Sequence, residues 1–292
     1  MNLAACRSPA VPYGHPERGH RGPRPPLTDL DRIPGTDASR LAVLFAEARR
    51  AVAFTGAGVS TESGIPDFRS PGGVWERFDP SEFTYQNFTG SREGRRRYWA
   101  LGRATYPLIR AAEPNATHRA LTELYRLGRL DCCITQNIDD LHQRAGLSPD
   151  AVIELHGNAT RARCLDCGVP CTRDELHARL ERGVDVPECP ACGGVVKPHT
   201  ILFGEAMPKA AVDEADRRAC GSDLFVVLGS SLVVYPAAYV PRHAKRAGAT
   251  LAIVNLEPTP LDREADLVIR AKAGPVMAAV LDEVRARLRA GG

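Results

Sequence analysis

No apolar run in this chain approaches the ~18 residues that a membrane-spanning helix requires. Charge imbalance is also nearly absent: 38 Lys and Arg stand against 35 Asp and Glu in 292 residues, a formal net charge of +3. Proteins dedicated to nucleic acid or to membrane surfaces ordinarily carry a strong basic excess, so neither is an expected partner. The N-terminal region lacks the continuous apolar stretch of a secretory leader, and Glu17, Asp29 and Asp31 do not suit a transit peptide. A cytoplasmic location is therefore expected. Internal repeats are missing as well. Aliphatic residues are scarce before residue 35, where seven prolines accumulate, and residues 1–36 are expected to form a disordered Pro/Arg-rich tail.

What is present is the composition of a globular enzyme, 43% hydrophobic and 25% charged, long enough for one large domain with a small insertion. Leu41, Leu44, Phe45 and Ala48 recur at helical spacing, with Asp37 or Ser39 placed to cap a helix. Short β-branched runs follow: AVAFT from Ala51, DCCIT from Asp131, AVIEL from Ala151, LFVVL from Leu224, TLAIV from Thr250 and ADLVI from Ala265. Most are separated by segments of helical length, including 117–128 and 236–248, and residues 275–290 read as a closing helix. Buried strands alternating with helices predict an α/β fold, a Rossmann-like parallel sheet with helices on both faces. The core is assigned to 37–65, 113–159 and 198–290, with a cofactor-covering loop and short helices at 66–112.

Residues 160–197 break that rhythm. They hold Cys164-x-x-Cys167 and Cys189-x-x-Cys192, 21 residues apart, and no Phe, Trp or Tyr. Two such pairs offer four thiolates to one tetrahedral Zn²⁺ with no position left for water, so a small inserted zinc-binding module with one structural Zn²⁺ is expected. Cys171 lacks the two-residue spacing. A nucleic-acid-binding zinc ribbon is disfavoured, because 164–196 carries three Arg against six acids and no aromatic ring to stack on a base.

The AVAFT run breaks into Gly56-Ala57-Gly58-Val59-Ser60. Glycines after a strand allow a tight turn and close approach to a phosphate, although Thr61 stands where a full GxGxxG fingerprint needs its third glycine. A conventional dehydrogenase is thus poorly supported. The continuation through Ile65, Asp67, Phe68 and Arg69 makes GAGVSTESGIPDFRS, which closely resembles the first signature of the sirtuin family. Later signatures occur in order: Thr135-Gln136-Asn137-Ile138-Asp139, Leu155-His156-Gly157, the cysteine pairs, Phe203-Gly204-Glu205, Gly229-Ser230-Ser231 and Asn255. The resemblance covers roughly residues 40–290, and Arg95–Ala100 resembles the class II branch.

This resemblance implies NAD as a consumed co-substrate and acylated-lysine proteins as substrates. His156 matches the family's general base, a role suited to imidazole. Asn137 and Asp139 match positions bordering nicotinamide and its ribose, with Gln136 at the ribose and Ile138 beside them. Gly56, Ala57, Gly58, Ser60, Ile65, Asp67, Phe68, Arg69, Gly229, Ser230, Ser231, Asn255 and Glu257 are the remaining expected cofactor contacts, Arg69 reaching the pyrophosphate. Glu257 departs from the small residue usual there. Phe203, Gly204, Glu205 and Val233 are expected at the substrate, within an extended edge at 197–205; Ile201, Leu202, Phe203 and Val233 suit either an acyl channel or the core. The branch that removes acidic acyl groups carries a Tyr and an Arg where this chain has Gly102 and Thr105, so a neutral acyl group, by default acetyl, is expected. Mono-ADP-ribosyl transfer by the same pocket is the nearest alternative, and a zinc-dependent binding module the most distant.

Overall fold

The computed structural model describes residues 35–67 and 72–290. The expected tail therefore lies outside the described residues except at its end, where Gly35 and Thr36 already belong to the first helix, α1 (Gly35–Glu47).

Six strands form one wholly parallel sheet: β1 (Ala51–Thr55), β2 (Cys132–Thr135), β3 (Val152–Glu154), β7 (Leu224–Leu228), β8 (Thr250–Val254) and β9 (Leu267–Ile269). Their order is β3-β2-β1-β7-β8-β9. A second sheet contains β4 (Gly157–Cys164), β5 (Pro170–Thr172) and β6 (Val196–Thr200) in the order β5-β4-β6, all antiparallel. Strand order in the large sheet reverses between β1 and β7. At such a switch point neighbouring loops diverge and leave a crevice at the strand C-terminal ends.

Period-two alternation explains why the strand sequences look uniformly apolar. Ala51, Ala53, Val226, Leu228, Ala252 and Val254 face a cluster built with α1, α5 (Ala116–Arg126) and α10 (Ala273–Ala290). Val52, Phe54, Phe225, Val227, Leu251 and Ile253 face the opposite cluster with α8 (Lys209–Cys220) and α9 (Val240–Arg246). Both faces are covered, so neither set of side chains has water to meet.

The 66–112 segment departs from the expected short helices. After α2 (Ala57–Ser60) and α3 (Tyr85–Gly90), α4 runs unbroken over Arg92–Ala111 despite an internal Pro107. Trp99, Tyr106 and Ile109 lie on one face of α4 and are buried, and that packing overrides the weak local propensity. Trp99 joins Leu176 and Leu180 of α7 (Arg173–Glu181) with Val186 and Val196 in a third core. Arg173, itself buried, lies over the Trp99 and Tyr106 rings at 5.0 and 4.5 Å. The small module thus leans on α4.

Candidate active site

Four strand ends meet at the switch point. β1 ends in Gly56, which precedes α2 without a side-chain cap. The Gly56 and Val59 N–H groups are taken by the Leu228 and Gly56 carbonyls, so a phosphate at this short helix start would meet the N–H groups that remain. A Cβ on Gly58 would lie 2.8 Å from the Gly229 carbonyl oxygen, and one on Gly56 equally close, so only glycine lets the β1 and β7 ends come this near. Gly58 N–H donates to the Gly229 carbonyl at 2.9 Å.

The polar residues after β2 are fixed one by one. Asn137 Nδ2 donates to the Gly56 carbonyl and to Ser60 Oγ, each at 3.0 Å. Ser60 Oγ in turn donates to Asp139 Oδ2 at 2.5 Å, and the other Asp139 oxygen accepts the Leu141 N–H at the start of α6 (Leu141–Arg144). Burial raises the Asp139 carboxyl pKa, and those two hydrogen bonds oppose the rise. Gln136 Nε2 donates to Ser230 Oγ at 2.8 Å, tying the β2 end to the β7 end.

His156 follows β3. Its Nδ1 lies 3.1 Å from the Gln136 carbonyl, which can only accept, so the proton sits on Nδ1 and Nε2 keeps its lone pair. Burial lowers its pKa, with the carbonyl acting in the other direction. A neutral imidazole with a free Nε2 is the form a general base needs.

Two non-glycine residues with positive φ flank the cluster: Asp140 at 67°, directly after Asp139, and Leu232 at 54°, directly before Val233. A branched aliphatic residue in the left-handed region is strained, and such strain concentrates at ligand sites.

Gly56, Ala57, Gly58, Ser60, Gln136, Asn137, Ile138, Asp139, His156, Gly229, Ser230 and Ser231 thus lie on the adjoining ends of β1, β2, β3 and β7. Ile65 continues the turn through its N–H to Ser60 O, and Asp67 O accepts Val74 N–H across the loop base. Phe68 and Arg69 lie outside the described residues. Asn255 and Glu257 follow β8, where Asn255 Nδ2 donates to the Glu257 carbonyl and Arg270 reaches both carbonyls.

The expected edge at 197–205 is extended only through Thr200. Phe203–Glu205 instead forms a turn bridged to Thr84, with Tyr85 N–H donating to the Phe203 carbonyl. Glu205 pairs with buried Lys197 at 2.9 Å and accepts the Leu202 N–H, which folds the segment back. Ile201 N–H donates to the His156 carbonyl, so this turn starts beside the histidine. Val233 is half-buried on the opposite strand end.

The thiols of Cys164, Cys167, Cys189 and Cys192 lie within 4.8 Å of one another, with Cys164–Cys192 at 3.6 Å and Cys167–Cys189 at 3.7 Å. Four sulfurs ~2.3 Å from a tetrahedral ion would be about 3.8 Å apart, so the set fits Zn²⁺. Cys171 is not a member of the cluster.

Asn115, not among the expected site residues, holds the glycine turn from outside. Its Nδ2 donates to Val59 O at 2.7 Å and Ser63 Oγ at 2.9 Å, while its Oδ1 caps α5. The Pro-Asn pair before a helix was a capping signal, but nothing local revealed which turn its free donors would reach.

An open parallel sheet with a dinucleotide-type crevice and an inserted four-cysteine module defines a nucleotide-using α/β enzyme. The sequence profile of the Sir2 family matches residues 56–236. An NAD-dependent protein deacetylase of Bradyrhizobium diazoefficiens is 48% identical over 238 residues, covering 82% of this chain and 92% of that protein. An NAD-dependent protein deacylase of Archaeoglobus fulgidus is 44% identical over 251 residues, covering 86% and 96%. Among solved structures, a Sir2 variant with deacetylated p53 peptide and 3'-O-acetyl ADP-ribose aligns with TM-score 0.79 at 38% identity, covering 85% of this chain and 98% of that one. A Sir2–p53 peptide–NAD⁺ complex aligns with TM-score 0.74 at 37% identity over 87% and 98%. The chain belongs to the Sir2 family.

Proposed function

We infer that this Sir2-family chain is an NAD-dependent protein-lysine deacylase, with neutral acyl groups, by default acetyl, as its substrates. The observation that carries this reading is His156, its Nδ1 committed to the Gln136 carbonyl and its Nε2 free, at the switch-point crevice shared by Gly56, Asn137 and Ser230. NAD, when bound, supplies the ribose carbon that takes the acyl oxygen as nicotinamide leaves, so that with one water the products are nicotinamide, O-acyl-ADP-ribose and free lysine. His156 Nε2 receives the proton of a ribose hydroxyl. Asn137 and Asp139 border the nicotinamide end, their positions fixed by Gly56 and Ser60. The Gly56–Ser60 turn and Gly229–Ser231 hold the phosphates through backbone N–H groups and hydroxyls. Asn255 and Glu257 stand at the adenosine end. Phe203–Glu205 and Val233 flank the substrate lysine and exclude water from it.

Cys164, Cys167, Cys189 and Cys192 hold a structural Zn²⁺ that fixes the small sheet and takes no part in the chemistry. Four thiols kept for metal suit a reducing, cytoplasmic setting, where disulfides do not compete. Thr105 lines a depression with Pro66, Val74, Arg77 and Leu108, while Gly102 lies against Arg173. Neither Thr105 nor Gly102 is itself the Tyr or Arg that the acidic-acyl branch carries at these positions.

A panel of acyl-lysine peptides incubated with NAD and read by mass spectrometry tests this. Release of at least one neutral acyl group as O-acyl-ADP-ribose is expected, and His156→Ala should abolish it. Nicotinamide release without any acyl-peptide, with ADP-ribose appearing on protein, would replace deacylation by ADP-ribosyl transfer.

A further inference from the structure

Two fully buried histidines, His118 and His142, lie beneath the crevice with ring centroids 4.8 Å apart and take no part in the chemistry above. Both are interior. Their burial is extreme enough to hold the His118 pKa near about 2 and that of His142 near about 4, so both rings are neutral wherever the enzyme works.

Hydrogen-bond polarity fixes the tautomers. Thr55 Oγ1 donates its one proton to Thr135 Oγ1 at 2.8 Å, so His142 Nε2, 2.9 Å from Thr55 Oγ1, is the N–H donor to it. Thr135 Oγ1 also accepts the Asn137 N–H at 3.0 Å. A continuous chain therefore runs from the His142 ring through the last residues of β1 and β2 to the Asn137 backbone. On the other side, His118 Nδ1 accepts the Asn115 N–H, and Asn115 grips Val59 and Ser63 of the glycine turn. The two histidines, their rings in contact and tilted by 58°, join the two arms that set both walls of the crevice.

We propose that His142 is a positioning residue which, through Thr55 and Thr135, sets the orientation of Asn137 and with it the nicotinamide end of the pocket. The role presupposes the NAD site proposed above. Removing the Nε2 donor takes one hydrogen bond from the buried Thr55 hydroxyl, frees that hydroxyl to reorient away from Thr135, and lets the Gln136–Asp139 loop shift.

His142→Leu and Thr55→Val remove the link, whereas His142→Gln restores an N–H at similar reach and Thr55→Ser restores the hydroxyl. The readouts are NAD affinity by calorimetry and kcat and KM for NAD and for acyl-peptide separately, alongside melting temperature. His142→Leu and Thr55→Val should each weaken NAD affinity and kcat/KM for NAD about tenfold, with peptide KM unchanged, and the Gln and Ser variants should recover most of it. Leu and Gln variants with equal NAD affinity, or a Thr55→Val protein that folds and binds NAD as the parent does, would overturn the proposal. If His142→Leu fails to fold, the near-isosteric Thr55→Val carries the test. A parent that binds NAD yet releases no acyl group would reject the deacylase reading while leaving this comparison intact.

Discussion

Truncating Glu205 to alanine should destabilise the protein more than truncating its partner Lys197. Lys197 is 4% exposed, and among the described residues its ammonium meets only the Glu205 carboxylate and the carbonyls of Pro198 and Thr200. Glu205 is 20% exposed, so it can rehydrate when left alone, whereas the ammonium cannot. Breaking a buried ion pair costs about 3–5 kcal/mol; the partial exposure of Glu205 and the two remaining carbonyls place this case near about 3 kcal/mol. For a domain of this size that corresponds to a fall in Tm of about 6–12 °C. Lys197→Met leaves a carboxylate that solvent can reach, and the loss should be smaller. The double variant Lys197→Met/Glu205→Ala should recover part of what Glu205→Ala loses, a coupling readable from denaturant unfolding of all four proteins. Because the same carboxylate accepts the Leu202 N–H, Glu205→Ala should also raise KM for acyl-peptide. The reasoning fails if the double variant is no more stable than Glu205→Ala, since the stranded ammonium would then not be the cause.

Metal analysis should find one zinc per chain, and Cys189→Ser or strong chelation should lower it and release the β4–β6 sheet, seen as loss of amide-exchange protection there before the large sheet opens. The acid limb of kcat/KM should report His156. Burial lowers its pKa from the ordinary value near about 6.5, so the neutral base persists below that pH; activity should hold to weakly acidic conditions and then fall as Nε2 is protonated. A limb at or above the ordinary histidine value would contradict the geometry.

The six sheet strands were readable because each is a short, largely apolar run with a turn signal after it, and the central strands, buried on both faces, leave no other pattern. The zinc cysteines were readable for a different reason: metal geometry imposes a fixed local spacing. His156, Asn137 and Gly229 were located by family signatures, and the structure adds how their polar atoms interlock. Three things were not legible. The 20-residue α4 has Gly94, Gly102 and Pro107 within it and is held by Trp99 and Tyr106 against a module that follows about 70 residues later in the chain. The turn at Phe203–Glu205 depends on an ion pair between buried Lys197 and Glu205, which their eight-residue separation in sequence does not reveal. The burial of His118 and His142 is a tertiary fact, since each sits on a short helix whose polar letters look solvent-facing.

The small sheet leaves and rejoins the main body at a single seam. Gly157 and Thr200 are ladder partners, and a Cβ on Gly157 would lie 1.7 Å from the His199 carbonyl oxygen. Outgoing and returning chain are therefore zipped together one peptide unit from His156. Whatever pries that zipper open therefore acts within one residue of the imidazole.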